Sequence, residues 1–429
     1  MADPGTIQIT SPGDSAGKTY DIALVGGRYA HDIVDQGQNL RWERDFRSGS
    51  YGMGETVLQT DRGDFFSDNM DTTKRGLRLG PAITTVSLAA LAHDANFNRP
   101  PVFFEAADSA GTAYVYVYGT VDANTTRKYK IRRSDNAVQT SQTNGPAGTT
   151  RIQGRPEHFQ GKWYTCESSN PANAQGLQEL TTIGVMGTTT DLWTDHSTTT
   201  GSDILLLEDA SSGTARLIRN VNGNQIQLCS AGNSPITEAN WAPTAGYQIG
   251  DSGPSGLIIS GGASHAGITI LGKNSGCYAF DPSGKSYLVV PALQRGVIPG
   301  SQSGFGTFSY GSITYYNEEG GIWEITEVNR VRNVAIDAIP YYASAPNITA
   351  PIRFTHYEGC FFGEWRYFIY ADGVNSNNSY IMAMHKTHSK TGLPIWYPIV
   401  QRGNRIRGIF IDSGRRLWWA EPGQNRVAY

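Results

Sequence analysis

Two glycine-containing segments have residue spacings close to those of known catalytic motifs. The first, Gly267 to Asn274, nearly matches the phosphate-binding pattern G-x-x-x-x-G-K-[ST], but Asn274 stands where the pattern needs a hydroxyl for magnesium. Positions 268–271 are apolar and alternate as in a strand, whereas a phosphate loop must be exposed and open onto a helix. The sequence therefore predicts a strand here and no nucleotide site.

The second segment, Gly262 to Ala266, resembles the nucleophile motif G-x-S-x-G around Ser264. It lacks the second glycine, and its surroundings do not read as a strand followed by a helix, so a hairpin tip is the better interpretation. The eight histidines include no H-E-x-x-H spacing, and His385 and His388 have no evident third ligand. These patterns predict neither a serine nucleophile nor a zinc site.

Carboxylates could also support chemistry. The segment 372–378 is rich in oxygen ligands but poor in carboxylates, which favours a turn over a calcium loop. Asp412 to Trp418 approaches the sialidase Asp-box, S-x-D-x-G-x-x-W, but its Trp is one place late and Phe410 replaces Ser or Thr. A catalytic carboxylate pair drawn from two distant segments remains an alternative. Otherwise the sequence predicts no catalytic, cofactor-binding or metal residues.

The elements that carry these residues follow a repeat. An apolar strand, a polar turn with Gly and an aromatic-bearing strand recur around Tyr278, Trp323, Trp365 and Trp418, which are 45, 42 and 53 positions apart. Blades of a β-propeller recur at roughly 40–50 residues. The pattern predicts an all-β fold, a β-propeller of five to seven blades, with blade-like strands beginning near Pro101.

The repeat is interrupted between Trp163 and Tyr278, which are 115 positions apart. A different strand pattern lies between them, with a strong hairpin signal at Val221-Asn222-Gly223-Asn224. We interpret 195–252 as a small β-barrel inserted into the propeller. The predicted organisation is then an irregular arm at 1–80, propeller at 81–194, the inserted barrel at 195–252 and propeller at 253–429.

The composition indicates which classes of partner to expect. The net charge is −3 and only 17% of residues are charged, without a long basic run, so we expect neither sequence-specific nucleic-acid binding nor a polybasic membrane patch. The start shows no signal peptide and no apolar span, which predicts synthesis in a cytoplasm and no membrane anchor. The four cysteines lie far apart and are expected to be free core thiols.

Residues 1–80 are expected to work outside the propeller. Strands are plausible at 6–10 and 22–25, whereas 47–79 is a long segment rich in Gly, Asp and Arg whose backbone groups need partners. Aromatic residues and arginine are enriched at interface hot spots. The interface candidates in this arm are therefore Trp42, Arg44, Phe46, Phe65 and Phe66.

The stretch from Leu257 to Ile336 resembles the propeller domains of tailed-bacteriophage tail proteins, notably nozzle proteins. The phrases that carry the resemblance are 272–281, GKNSGCYAFD, and 320–325, GGIWEI. The predicted barrel likewise resembles modules of virion proteins. In the nozzle family the propeller is a structural and docking unit, repeated in rings around the DNA conduit, and the resemblance brings no catalytic residues or cofactor.

The leading hypothesis is a non-enzymatic structural component of a phage tail, present in the virion, made in the host cytoplasm and acting in DNA ejection. Its expected partners are copies of itself in a ring and other tail proteins such as an adaptor, fibre or spike. The alternative is a carbohydrate-binding or carbohydrate-processing propeller of the sialidase or glycosidase kind. The missing signal peptide favours the first hypothesis, because a phage particle leaves the cell by lysis.

Overall fold

A computed structural model gives the architecture. It describes residues 6–10, 19–23, 30–35, 38–43, 83–91, 101–122, 125–144, 156–166, 177–195, 205–208, 215–221, 225–250, 259–265, 268–273, 276–281, 285–288, 303–304, 313–316, 322–327, 330–333, 359–362, 365–371, 379–390, 393–402 and 406–429. Apart from two short 3-10 turns, Glu238–Asn240 and Pro422–Gln424, every regular element in these ranges is a strand.

Strands β5 to β32 form seven four-stranded antiparallel sheets among the described residues, and six of them take their strands in chain order. Sheet 1 holds β6 (Val102–Ala107), β7 (Ala113–Asp122), β8 (Thr125–Arg132) and β9 (Val138–Asn144). Sheet 2 holds β10 (Glu157–Phe159), β11 (Lys162–Cys166), β12 (Leu177–Thr182) and β13 (Leu192–Asp195). Sheet 3 holds β14 (Leu205–Glu208), β15 (Arg216–Val221), β16 (Gln225–Ser230) and β17 (Trp241–Gln248).

Sheet 4 holds β18 (Ile259–His265), β19 (Ile268–Lys273), β20 (Gly276–Asp281) and β21 (Lys285–Leu288). Sheet 5 holds β22 (Ser303–Gly304), β23 (Ile313–Tyr316), β24 (Ile322–Glu327) and β25 (Arg330–Asn333). Sheet 6 holds β26 (Gly359–Phe362), β27 (Trp365–Ala371), β28 (Ser379–Lys390) and β29 (Leu393–Arg402). Strands β10 and β11 form an antiparallel hairpin, and so do β26 and β27.

Sheet 7 joins the two ends of this region. It holds β30 (Arg407–Ile411), β31 (Leu417–Glu421) and β32 (Arg426–Ala428), and its fourth strand is β5 (Thr85–Ser87), which comes from more than 300 positions earlier in the chain. Val86 lies opposite Val427 in the register. Long-range pairing of this kind fixes the last sheet to the start of the first.

The seven sheets contact one another in sequence and then close on themselves. The first strand of one sheet contacts the first strand of the next at sheets 2 and 3, 3 and 4, 4 and 5, 6 and 7, and 7 and 1. Sheets 5 and 6 are joined by an ion pair between Glu324 and Arg366 at 2.9 Å. Sheets 1 and 2 share an apolar cluster that includes Tyr116 and Leu180. The arrangement is a ring, and the fold is all-β and propeller-like.

Strand β7 shows why the sequence builds such a ring. Its run Ala-Tyr-Val-Tyr-Val-Tyr alternates two apolar side-chain types, and successive strand residues point to opposite faces of the sheet. Tyr114 and Tyr116 pack in the cluster with sheet 2, whereas Val115 and Val117 pack with sheet 7. All four are buried. A strand that is apolar on both faces needs a neighbouring sheet on each side.

The segment predicted as an inserted barrel forms an open sheet. Within 195–252, β14 to β17 make a four-stranded sheet with the same strand order as the others, and the described pairings do not close it into a barrel. The hairpin predicted at Val221-Asn222-Gly223-Asn224 is present, since Val221 pairs with Gln225. The repeat was not recognised here because β16, Gln-Ile-Gln-Leu-Cys-Ser, carries no aromatic residue to mark it.

The four aromatic residues that marked the repeat do not occupy equivalent strands of their sheets. Tyr278 and Trp323 lie on the third strands of their sheets, whereas Trp365 and Trp418 lie on second strands. The spacing between anchors therefore follows the period only loosely. Segment 268–273 is strand β19, as predicted. A strand at this position is incompatible with a phosphate-binding loop, which must be exposed and lead into a helix. Cys229 and Cys277 are buried free thiols, as predicted.

Four further strands precede the ring. They are β1 (Thr6–Thr10), β2 (Thr19–Ala23), β3 (Ala30–Asp35) and β4 (Gln38–Glu43). β1 pairs with β2 and β3 pairs with β4, and among the described strands neither hairpin pairs with a sheet of the ring. The strand expected at 6–10 is confirmed, the one expected at 22–25 begins earlier, and β3 and β4 were not predicted.

Candidate functional site

The predicted interface residues lie in or after the second arm hairpin. Trp42 lies in β4, where its Cα pairs with that of His31 in β3. Arg44, Phe46, Phe65 and Phe66 lie outside the described residues. Their grouping into an interface stays a prediction.

The arm meets the ring at a well-bonded junction. Thr84 and Tyr429 exchange two backbone hydrogen bonds of 2.9 and 3.0 Å. The backbone N–H of Leu88 donates to the carbonyl of Asn425 at 2.8 Å, and that of Leu91 donates to the Asn425 side-chain oxygen at 2.7 Å. Asn425 has φ of +49°, a conformation that asparagine tolerates well. The chain that leaves the arm is thus fixed to the ring before sheet 1 begins.

A polar cluster spans the same border between sheets 7 and 1. The hydroxyl of Ser413 donates to Glu105 Oε1 at 2.9 Å and accepts from Arg133 Nη1 at 2.6 Å. Arg133 also pairs with Glu105 at 2.6 Å, and the Ser413 N–H donates to Glu105 Oε2 at 2.6 Å. A serine beside a carboxylate is one part of a nucleophilic site. Here both bonds of the hydroxyl link the two sheets, which makes the cluster a clamp on the ring closure.

The Asp-box-like segment contributes a turn to this clamp. Asp412 Oδ1 accepts from the Arg416 N–H at 2.8 Å, and Oδ2 accepts from the indole N–H of Trp418 at 3.0 Å. Arg415 has φ of +67°. The carboxylate therefore holds the β30–β31 turn together, rather than facing a substrate.

The same turn occurs once more in the first sheet. Asp108 accepts from the Thr112 N–H at 2.9 Å and from the Tyr114 hydroxyl at 2.9 Å, and Gly111 has φ of +82°. The Thr112 N–H is the main cause of a lowered pKa at Asp108. Sequence reasoning missed this repeat. In both turns an aspartate is followed three places later by a residue with positive φ and six places later by an aromatic residue. The aspartate and aromatic spacing is the sequence feature that could have revealed the repeat.

Between sheets 1 and 2 lies a buried ionic network around Asp191. Lys130 Nζ contacts Asp191 Oδ1 at 2.7 Å, and both side chains are 0% exposed. Asp191 Oδ2 accepts from the Tyr116 hydroxyl at 3.0 Å and the Ser141 hydroxyl at 2.5 Å. Burial, followed by the Asp191 charge, raises the pKa of Tyr116 above its ordinary value. These groups neutralise and satisfy one another, which a buried charge requires.

No group of three or more His, Cys, Asp or Glu side chains in the described ranges lies close enough to hold a metal ion. Among the same residues, no helix is long and apolar enough to span a membrane.

Comparison with known proteins gives structural likeness alone. No protein-family model and no curated protein sequence matches the chain. A streptogramin B lyase structure matches with a TM-score of 0.49 and 14% identity, over 81% of this chain and 97% of that one. YCF48 bound to a D1 peptide matches with a TM-score of 0.45 and 10% identity, over 81% and 96%. BBS1N in complex with ARL6DN matches with a TM-score of 0.47 and 7% identity, over 85% and 96%.

Proposed function

We propose that this protein is a structural component of a tailed-phage virion, a tail nozzle or another tail-associated propeller. In this proposal it works by assembly and not by catalysis. The observation that carries the proposal is the arm, because β1 to β4 form two hairpins outside the pairing of the seven sheets, while the chain that follows them is fixed to the ring. The resemblance of 257–336 to nozzle propellers supplies the virion context.

The arm is built for an outside partner. A two-stranded hairpin is marginally stable alone in water, and its outer edges carry unpaired backbone groups. Two such hairpins precede the ring, one of them bearing Trp42. Docking against other copies of the chain, or against an adaptor, fibre or spike, would supply the missing pairing. Closed homo-oligomeric rings are the ordinary way in which one gene product encircles a conduit.

The ring is the rigid part of the proposal. We propose that the seven sheets are the blades of a seven-bladed propeller, with β5 as the strand that closes the last blade. The net charge of −3 suits a conduit wall along which DNA slides, because retention would need Lys and Arg at the phosphates. A propeller closed in this way is a stiff spacer to which arms and loops are attached.

The test is removal of residues 1–80, which leaves β5 in place and so keeps the ring closed. Particles would be assembled with the full chain or with the truncated chain and imaged for its copy number. The proposal expects the truncated protein to melt as the full chain does but to be lost from the particle. Incorporation at full copy number would overturn it.

A second measurement addresses the carbohydrate alternative. The purified full chain would be incubated with a panel of sialylated and neutral oligosaccharides, with mass spectrometry of the products. The structural proposal expects no turnover. Hydrolysis above the level of a Glu105→Gln, Asp412→Asn control would identify an enzyme and overturn the proposal.

A further inference from the structure

We draw no further inference here: the strongest candidate, the exposed apolar side chains of Val185 and Leu192 at the turn from β12 into β13, is an unpartnered apolar surface, and nothing in the described part of the chain shows what covers it.

Discussion

At the scale of single residues, two buried ion pairs hold neighbouring sheets together. Lys130, Asp191, Glu324 and Arg366 are all buried, and each pair joins two sheets. Burying a charge costs several kcal/mol, which the partner charge and further hydrogen bonds must offset. The pairs therefore add specificity to the neighbour contacts, because a shifted sheet would leave a charge unmatched.

Removal of one partner should expose that cost. Asp191→Ala leaves the Lys130 ammonium buried without a carboxylate, beside the Gly184 carbonyl and the Tyr114 ring, and should lower the free energy of unfolding by about 3–5 kcal/mol. The control is Asp135→Ala, which breaks an exposed pair with Arg132 and should leave the denaturation midpoint nearly unchanged. Equilibrium urea unfolding of both variants checks the contrast, and equal midpoints would show that the Asp191 network adds little.

The thiol of Cys229 gives a second prediction at this scale. Burial raises its pKa from 9.0 to about 11, against the opposing effect of the Arg219 charge. Since the thiolate is the reactive form, the folded protein at pH 8 should label at Cys229 roughly a hundredfold more slowly than the unfolded chain. The rate should keep rising as pH passes 9 and approaches 11. Peptide mapping after iodoacetamide labelling measures it, and a plateau near pH 9 would contradict the raised pKa.

At the scale of elements, turns and close approaches decide how the strands meet. Gly111 lies in the Asp108 turn with φ of +82° and open space where a Cβ would be. Gly408 has φ of +62°, and a Cβ there would lie 2.1 Å from the Pro101 carbonyl oxygen. Gly408 belongs to the inner strand of sheet 7, so this glycine lets the first strands of sheets 7 and 1 approach.

The two glycines should therefore respond differently to alanine. Gly111→Ala adds backbone strain alone, about 1–2 kcal/mol. Gly408→Ala adds the same strain and a backbone clash with the neighbouring sheet, and it should destabilise the protein by clearly more than Gly111→Ala. Thermal melting of both variants tests the order. A smaller effect at Gly408 would mean that sheets 7 and 1 separate easily at this point.

The sequence was informative about elements where a strand carries its own pattern. β7 alternates tyrosine and valine, so its strand character and two-sided burial are legible locally. The sequence did not predict that β14 to β17 form a sheet like the others. The strand β16 lacks an aromatic marker, and four short strands can form either an open or a closed sheet. The clamp of Glu105, Arg133 and Ser413 was also invisible, since its members are brought together only by ring closure.

At the scale of the whole molecule, closure of the ring and display of the arm share one short segment. β5 completes sheet 7, and Leu88 and Leu91 follow it into the apolar cluster with Val117 and Trp418. The backbone of Gly119 leaves room for Leu91, because a Cβ there would lie 2.5 Å from the leucine side chain. We therefore expect that deletion of residues 1–80 keeps the ring of sheets closed, whereas deletion of residues 1–91 opens it.

A pair of truncations separates these two roles. The chain lacking residues 1–80 should melt as the full chain does, because every described contact of β5 is kept. The chain lacking 1–91 loses Val86, Leu88 and Leu91, whose burial stabilises the fold by about 1.5–3 kcal/mol each, a large part of the 5–15 kcal/mol typical of a whole protein. It should melt far earlier or fail to fold. Leu91→Ala in the full chain keeps the comparison measurable, with an expected loss of about 2–5 kcal/mol. If the 1–91 truncation melts with the full chain and Leu91→Ala has no effect, β5 does not close the ring and the arm is not coupled to it.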